Sequence, residues 1–200
     1  VQGMSFLAVV PLLLGFDEGP ALECLSFLLD DVCPGYHSLS MDGYFRDIAV
    51  LSALVNFLRP DVHAALERLE MPLHLLATDH LLTLAVRTWP INAIVRLWDV
   101  VLMEGSPALL GSFMVTLDMY FLEAASERLR EQTQGDVALR FRELTRNGVG
   151  RDIDEVIFKT REFIPLVRGE PVSGGVRGEG SFLSWFREEA VASNVIDSDS

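Results

Sequence analysis

The chain is short of positive charge, of cysteine and of long apolar runs, and each shortage closes a class of function. Lys and Arg number 16 against 29 Asp and Glu, a formal net charge of −13 over 200 residues. So acidic a chain lacks the electrostatic footprint for nucleic acid or for an anionic membrane surface, and neither is expected as a partner. The two cysteines are Cys24 and Cys33. Their spacing matches no metal site and no disulfide framework, so both are expected as reduced thiols of a cytosolic protein. His37, His63, His74 and His80 are scattered without ligand spacing, and no metal or cofactor is expected. The uncharged run from Met4 to Phe16 falls short of the ~20 residues that a membrane span needs. Pro11 interrupts it and Asp17-Glu18 closes it, so it reads as a buried core helix without direct membrane insertion. A secretory signal is not expected, for want of an initiator Met, a basic leader and a small-x-small cleavage site. Gly174 to Gly180 is glycine-rich but lacks the Gly-Lys-Ser/Thr ending of a phosphate loop, so the chain is not expected to bind a nucleotide itself.

Half of the residues are hydrophobic, enough for one sizeable domain with a core. Apolar residues recur at helical spacing nearly throughout, and Pro-Gly, Gly-Pro and Ser-Pro marks divide the runs. No β-hairpin signature and no internal repeat occurs, so the fold class is all-α. Pro20 suits the first turn of a helix over Ala21 to Asp31, which Pro34-Gly35 ends. A helix over Asp42 to Leu58 carries Ile48, Leu51, Val55 and Leu58 on one stripe. Arg59-Pro60-Asp61 restarts a short helix to Leu69, and Met71-Pro72 starts another that reaches Arg87. Pro90 opens Ile91 to Met103, with Ile91, Ile94, Val95, Trp98, Val101 and Leu102 on one face; Trp98 reads as its core anchor. Ser106-Pro107 caps a helix over Pro107 to Arg130. Two shorter helices, Asp136 to Arg146 and Asp152 to Phe163, each start acidic. The organisation is a helical domain over 1–163, a Gly-rich linker over 164–180 and a tail over 181–200. That tail holds a short amphipathic helix, with Phe182, Trp185 and Phe186 on one face, and a disordered acidic end.

One polar residue stands where chemistry could use it. Gln2 precedes Gly3, which permits close backbone approach, and Met4, Phe6 and Leu7, which anchor a helix start. An amide held at such a junction donates and accepts hydrogen bonds, so it can align a water molecule. It cannot supply positive charge. Asp79-His80 is no base with its orienter, because adjacent residues on a helix point ~100° apart. Arg96 and Asp99 are spaced to pair along one helix face and read as structural.

Val1-Gln2-Gly3-Met4-Ser5-Phe6 and the later Arg96-Leu97-Trp98-Asp99 resemble two motifs of the TBC domain, the helical module of activators of Rab-type small GTPases. These are Tyr-x-Gln-Gly-Met-x-Phe and Arg-Leu-Trp-Asp, in that order. Leu28-Leu29-Asp30-Asp31-Val32-Cys33-Pro34-Gly35-Tyr36 is similar to the family's Leu-Leu-x-x-x-x-Pro-Gly-Tyr segment. Thr78-Asp79-His80-Leu81-Leu82-Thr83-Leu84 is similar to Thr-x-Trp-Phe-Leu-Thr-Leu, with His80 and Leu81 standing where the family often carries Trp and Phe. The resemblance covers roughly Val1 to Phe163. It implies an all-α, multi-helix TBC-type domain truncated on its N-terminal side, since the motif's Tyr and an upstream Ile-x-x-Asp-x-x-Arg motif are absent. In the family the Gln enters the GTPase site in trans and positions water, while the Arg neutralises charge on the phosphates, a contribution of ~10³ to 10⁵ in rate. The resemblance puts Gln2 in the first role and leaves the second to a missing upstream segment. Arg46, Arg87 and Arg96 lie in no such context.

The resemblance thus implies a GTPase activator for a Rab-type small GTPase in its GTP form. It implies a place in vesicle trafficking and a cytoplasmic location, peripheral on endomembranes through the partner. The alternative is a non-catalytic TBC-like scaffold that binds a small GTPase or another partner; His80 and Leu81 favour it, and Gln2 opposes it. Without its N-terminal side the chain is expected to expose Phe6, Leu7, Val10 and Leu14, to associate through them, and to be inactive as an activator.

Overall fold

The computed structural model describes residues 3–123 and 132–169. Val1 and Gln2, the stretch 124–131, and the linker and tail residues from 170 onward lie outside the described residues. Among the described residues every regular element is a helix. They are α1 (Met4–Leu13), α2 (Glu18–Phe27), α3 (Asp42–Leu58), α4 (Pro60–Arg68), α5 (His74–Leu82), α6 (Ile91–Glu104), α7 (Ser106–Glu123), α8 (Gln134–Asn147) and α9 (Ile153–Arg168).

The arrangement is organised around α7. Every residue from 108 to 117 is buried, as befits a helix that is apolar on all sides. Its polar members strand no hydrogen-bonding group. Ser112 and Thr116 donate their hydroxyls back to the carbonyls of Leu109 and Ser112, each at 2.8 Å. α9 packs along α7 most extensively, and α3, α5, α6 and α8 close its other sides. The approach is close enough that a Cβ on Gly111 would stand 2.7 Å from the Thr160 carbonyl oxygen, so the crossing requires glycine. Arg59, at the joint of α3 and α4, reaches Asp61 at 2.9 Å and also pairs with Asp118 on α7.

Most helices start where local chemistry says they should. α3 spans Asp42 to Leu58 as its periodicity indicates, and Pro60 sits in the first turn of α4. α8 starts on a Thr133–Asp136 capping box and α9 on the Asp152 side chain. Several other bounds depart from expectation. The helix expected to reach Arg87 stops at Leu82, because Leu84 and Ala85 take left-handed backbone, φ +46° and +67°, which a continuing helix excludes. α2 starts at Glu18 and widens into a single π turn over Leu28–Val32 before Pro34-Gly35. α9 runs past Phe163 to Arg168. Pro165 removes one helical donor, but the carbonyl it leaves belongs to exposed Arg161, where water can satisfy it.

Two expected faces are also corrected. The buried face of α6 is Ala93, Ile94, Leu97, Trp98, Val100 and Val101, whereas Ile91 and Leu102 are exposed. The reason is tertiary, since α7, α9 and the π turn pack on α6 and centre its buried arc toward Ala93, Leu97 and Val100, away from Ile91 and Leu102. α1 is a core helix on one side only. Leu7 and Val10 are 1% exposed, so they do not join the expected open face, while Phe6, Val9, Leu12, Leu13 and Leu14 lie in solvent. Among the described residues no helix is long and apolar enough to cross a membrane. Cys24 and Cys33 are free thiols. Burial, and then the charge of Asp47, push the Cys33 thiol well up, which leaves it an inert core residue.

Candidate functional site

Gly3 sits at the N-terminus of α1 with φ +98°, a backbone region that side chains with a Cβ rarely enter. A Cβ there would lie 2.8 Å from the Leu82 carbonyl oxygen and 3.5 Å from His37 Cε1. Glycine therefore serves twice: it turns the chain into α1 and lets the backbone press onto the end of α5. The Phe6 N–H then closes the first turn on the Gly3 carbonyl at 3.0 Å. Gln2 is joined directly to Gly3 and lies outside the described residues.

The opposing wall is the turn that follows α5. The Thr83 hydroxyl donates to the Asp79 carbonyl at 2.6 Å and accepts the Arg87 backbone N–H at 3.2 Å. Leu84 and Ala85, both buried, occupy the left-handed region in succession, at roughly 1–2 kcal/mol each. Two hydrogen bonds hold them there. The Trp98 indole N–H donates to the Leu84 carbonyl at 2.9 Å, and the Ala85 N–H to the His80 carbonyl at 2.8 Å. The turn carries Arg87 back beside α5 and over α1. Its Nη1 lies 2.9 Å from Asp79 Oδ1, and its guanidinium carbon 5.3 Å from the centre of the Phe6 ring. Both members of the ion pair are partly exposed, so it contributes only ~0–1 kcal/mol. The cation–π contact adds about 0.5–1 kcal/mol. These contacts orient the first turn of α1 more than they stabilise the fold.

His80 takes no part in this surface. It is buried, with Nε2 2.9 Å from Ser112 Oγ and Nδ1 3.1 Å from Thr88 Oγ1. The Ser112 hydroxyl also donates to the Leu109 carbonyl and the Thr88 hydroxyl to the Ala85 carbonyl, so each oxygen is placed to accept, and the neutral ring has one N–H to give. Burial pushes the imidazole pKa down to about 3, against a smaller opposing effect of the Leu109 backbone. Trp89 and Phe113 meet the ring edge-on, each with centroids 5.6 Å away. Asp79 pairs with Arg87 instead, so the two adjacent residues serve different partners, as their helical spacing requires.

The three arginines weighed as cations are all held by carboxylates. Arg46 binds Asp47 at 3.0 Å, and the buried Asp47 also accepts the Tyr36 hydroxyl at 2.8 Å. Arg96 binds Asp99 and Asp154, both at 3.2 Å, as the spacing of Arg96 and Asp99 suggests. Arg87 binds Asp79. Among the described residues no group of three or more His, Cys, Asp and Glu could hold a metal ion. The residue that sequence reasoning passes over is Asp79 as the partner of Arg87. On one continuous helix, eight residues separate them by about 12 Å, and only the unannounced break at Leu84-Ala85 brings them together.

The Gly-Met-x-Phe start is thus seated against Leu82, the last residue of α5. The family model of the Rab-GTPase-TBC domain matches residues 1–124, and the chain belongs to that family. It is 31% identical to growth hormone-regulated TBC protein 1 of Homo sapiens over 173 residues, 86% of this chain and 48% of that protein. The counterpart from Xenopus tropicalis is 29% identical, over 86% of this chain and 47% of the relative. The chain thus spans about half the length of these curated relatives. Among solved structures it is similar to the Chlamydomonas flagellar RabGAP TBC domain, with TM-score 0.67 and 20% identity over 80% of this chain and 51% of that one. The Ypt/Rab-GAP domain of Gyp1p matches with TM-score 0.64 and 15% identity, over 83% and 60% of the two chains. At these identities the likeness is one of fold, and that fold is all-α.

Proposed function

We propose that the protein activates GTP hydrolysis by Rab-type small GTPases in their GTP form, with Gln2 supplied in trans to align the hydrolytic water. The observation that carries this reading is the seat of Gly3, whose backbone is pressed against Leu82 one residue after Gln2. Hydrolysis needs a water held in line with the γ-phosphate and a cation to neutralise the transition state. An amide joined to a fixed glycine starts from a fixed origin, which is the condition for positioning. The family resemblance assigns the neutralising cation to an Arg of an upstream motif that Arg46, Arg87 and Arg96 do not match, and these three are engaged by carboxylates. Membership of the Rab-GTPase-TBC family supports the same class, as do solved neighbours named as Rab-GAP domains. The proposed location is cytoplasmic, at endomembranes through the GTPase.

The scaffold alternative leaned on His80 and Leu81. His80 has hydroxyl partners at both ring nitrogens, and Leu81 is fully buried. Both departures therefore read as repacking of the core, which removes their weight in favour of a scaffold. The test is single-turnover hydrolysis by a panel of GTP-loaded Rab GTPases mixed with the full-length protein. Acceleration of at least one of them by on the order of 10³-fold or more is expected. Saturable binding to a panel member with no acceleration of any would favour the scaffold.

A further inference from the structure

We infer that Arg87 is a positioning residue for Gln2, acting through Phe6 and Gly3; the inference rests on the reading of Gln2 given above. Beside the buried Leu7, the start of α1 is held at two places. The Leu82 carbonyl lies under Gly3, and the Arg87 guanidinium lies over the Phe6 ring. Leu7 and the Gly3 contact hold only the inner side of the first turns. Phe6 is 41% exposed, so core packing alone does not lock its ring. Arg87 supplies the second point of hold.

Arg87 is itself fixed from three directions. Its guanidinium is bound to Asp79, its backbone N–H to Thr83, and the turn before it is closed by Trp98 on Leu84. A continuous series of contacts therefore runs from the core at Trp98, through the left-handed Leu84-Ala85 turn and Arg87, to Phe6 and Gly3. Leu84 and Ala85 are non-glycine residues held in the left-handed region, and backbone strain of that kind gathers where a side chain has to be aimed. Arg87 is not assigned the phosphate charge, since its guanidinium already serves Asp79 and Phe6.

The experiment uses the full-length protein and the Rab GTPase of the panel that it accelerates most, in single-turnover hydrolysis at increasing activator concentration. Arg87→Ala is expected to lower the saturating rate about tenfold or more, with the half-saturating concentration unchanged within about twofold. Arg87→Lys, which keeps the cation, should regain most of that rate. Adding Arg87→Ala to Gln2→Ala should cause no further loss, because the one residue acts through the other. Circular dichroism and unfolding midpoints accompany each variant; should Arg87→Ala fail to fold, Arg87→Gln and Asp79→Asn are read by the same criteria. A rise in half-saturating concentration alone, or losses that multiply in the double variant, would overturn the inference and place Arg87 directly on the GTPase. Full activity of Arg87→Ala beside an impaired Gln2→Ala would overturn it while leaving the role of Gln2 intact. Full activity of Gln2→Ala would overturn both.

Discussion

The indole N–H of Trp98 on α6 donates to the backbone carbonyl of Leu84 at 2.9 Å, joining a core residue to a left-handed turn at the edge of the candidate site. Trp98 is thus a packing residue and a clasp at once. The two roles separate by substitution. Trp98→Phe keeps an aromatic ring but leaves the buried Leu84 carbonyl unpaired, which should cost about 1–3 kcal/mol. Trp98→Ala also opens a cavity and should cost about 3–5 kcal/mol. Urea unfolding measures both; a Phe variant as stable as the original chain would show that the turn holds without its clasp.

His80 gives the fold a definite acid sensitivity. Its folded-state pKa is about 3 against 6.5 for the ordinary group, so between those values the unfolded chain binds a proton that the folded chain refuses. Stability is then whole above pH 6.5 and falls as pH drops toward 3, by up to about 1.4 kcal/mol per unit. Between pH 7.5 and pH 5 the loss from this one ring should be about 2 kcal/mol. Urea unfolding at the two pH values tests it, with His80→Gln as the control that should lose this part of the dependence. Equal pH dependence in the two proteins would mean that His80 is not buried neutral.

Gly3 should tolerate no side chain. Gly3→Ala places a Cβ 2.8 Å from the Leu82 carbonyl at φ +98°. The strain is about 1–3 kcal/mol, and it is relieved if the start of α1 lifts away from α5. The expected result is a small drop in unfolding midpoint with a disproportionate drop in stimulated GTP hydrolysis. A variant of unchanged activity would show that the seat of Gly3 is unrelated to catalysis.

Helix starts were legible because proline, serine and acidic residues write them into local chemistry: Asp42, Pro60, Pro90 and Ser106 all mark observed starts. Where helices stop was less legible. Nothing in Leu84-Ala85 announces left-handed backbone, so α5 reads as running on to Arg87. The buried face of α6 was misjudged at Ile91 and Leu102 because periodicity reports an apolar stripe, whereas the neighbours of α6 centre the buried arc on the Ala93, Leu97 and Val100 side. At the candidate site, Gly3 and Phe6 were readable from the motif that also proposes Gln2. Asp79 and Arg87 were not, because their meeting depends on the broken helix. His80 stood out as a departure, but its partner Ser112 is 32 residues away in the sequence, and only the packing of α5 on α7 brings the two together.

The central claim is that Gln2 aligns the water that attacks GTP. Its most direct test is the saturating single-turnover rate of GTP hydrolysis by the Rab GTPase that the full-length protein accelerates, with and without Gln2→Ala. Loss of a positioning group should lower that rate by on the order of 10²-fold or more, while helix content and unfolding midpoint stay where they were. A Gln2→Ala protein that drives hydrolysis at the original rate would contradict the account.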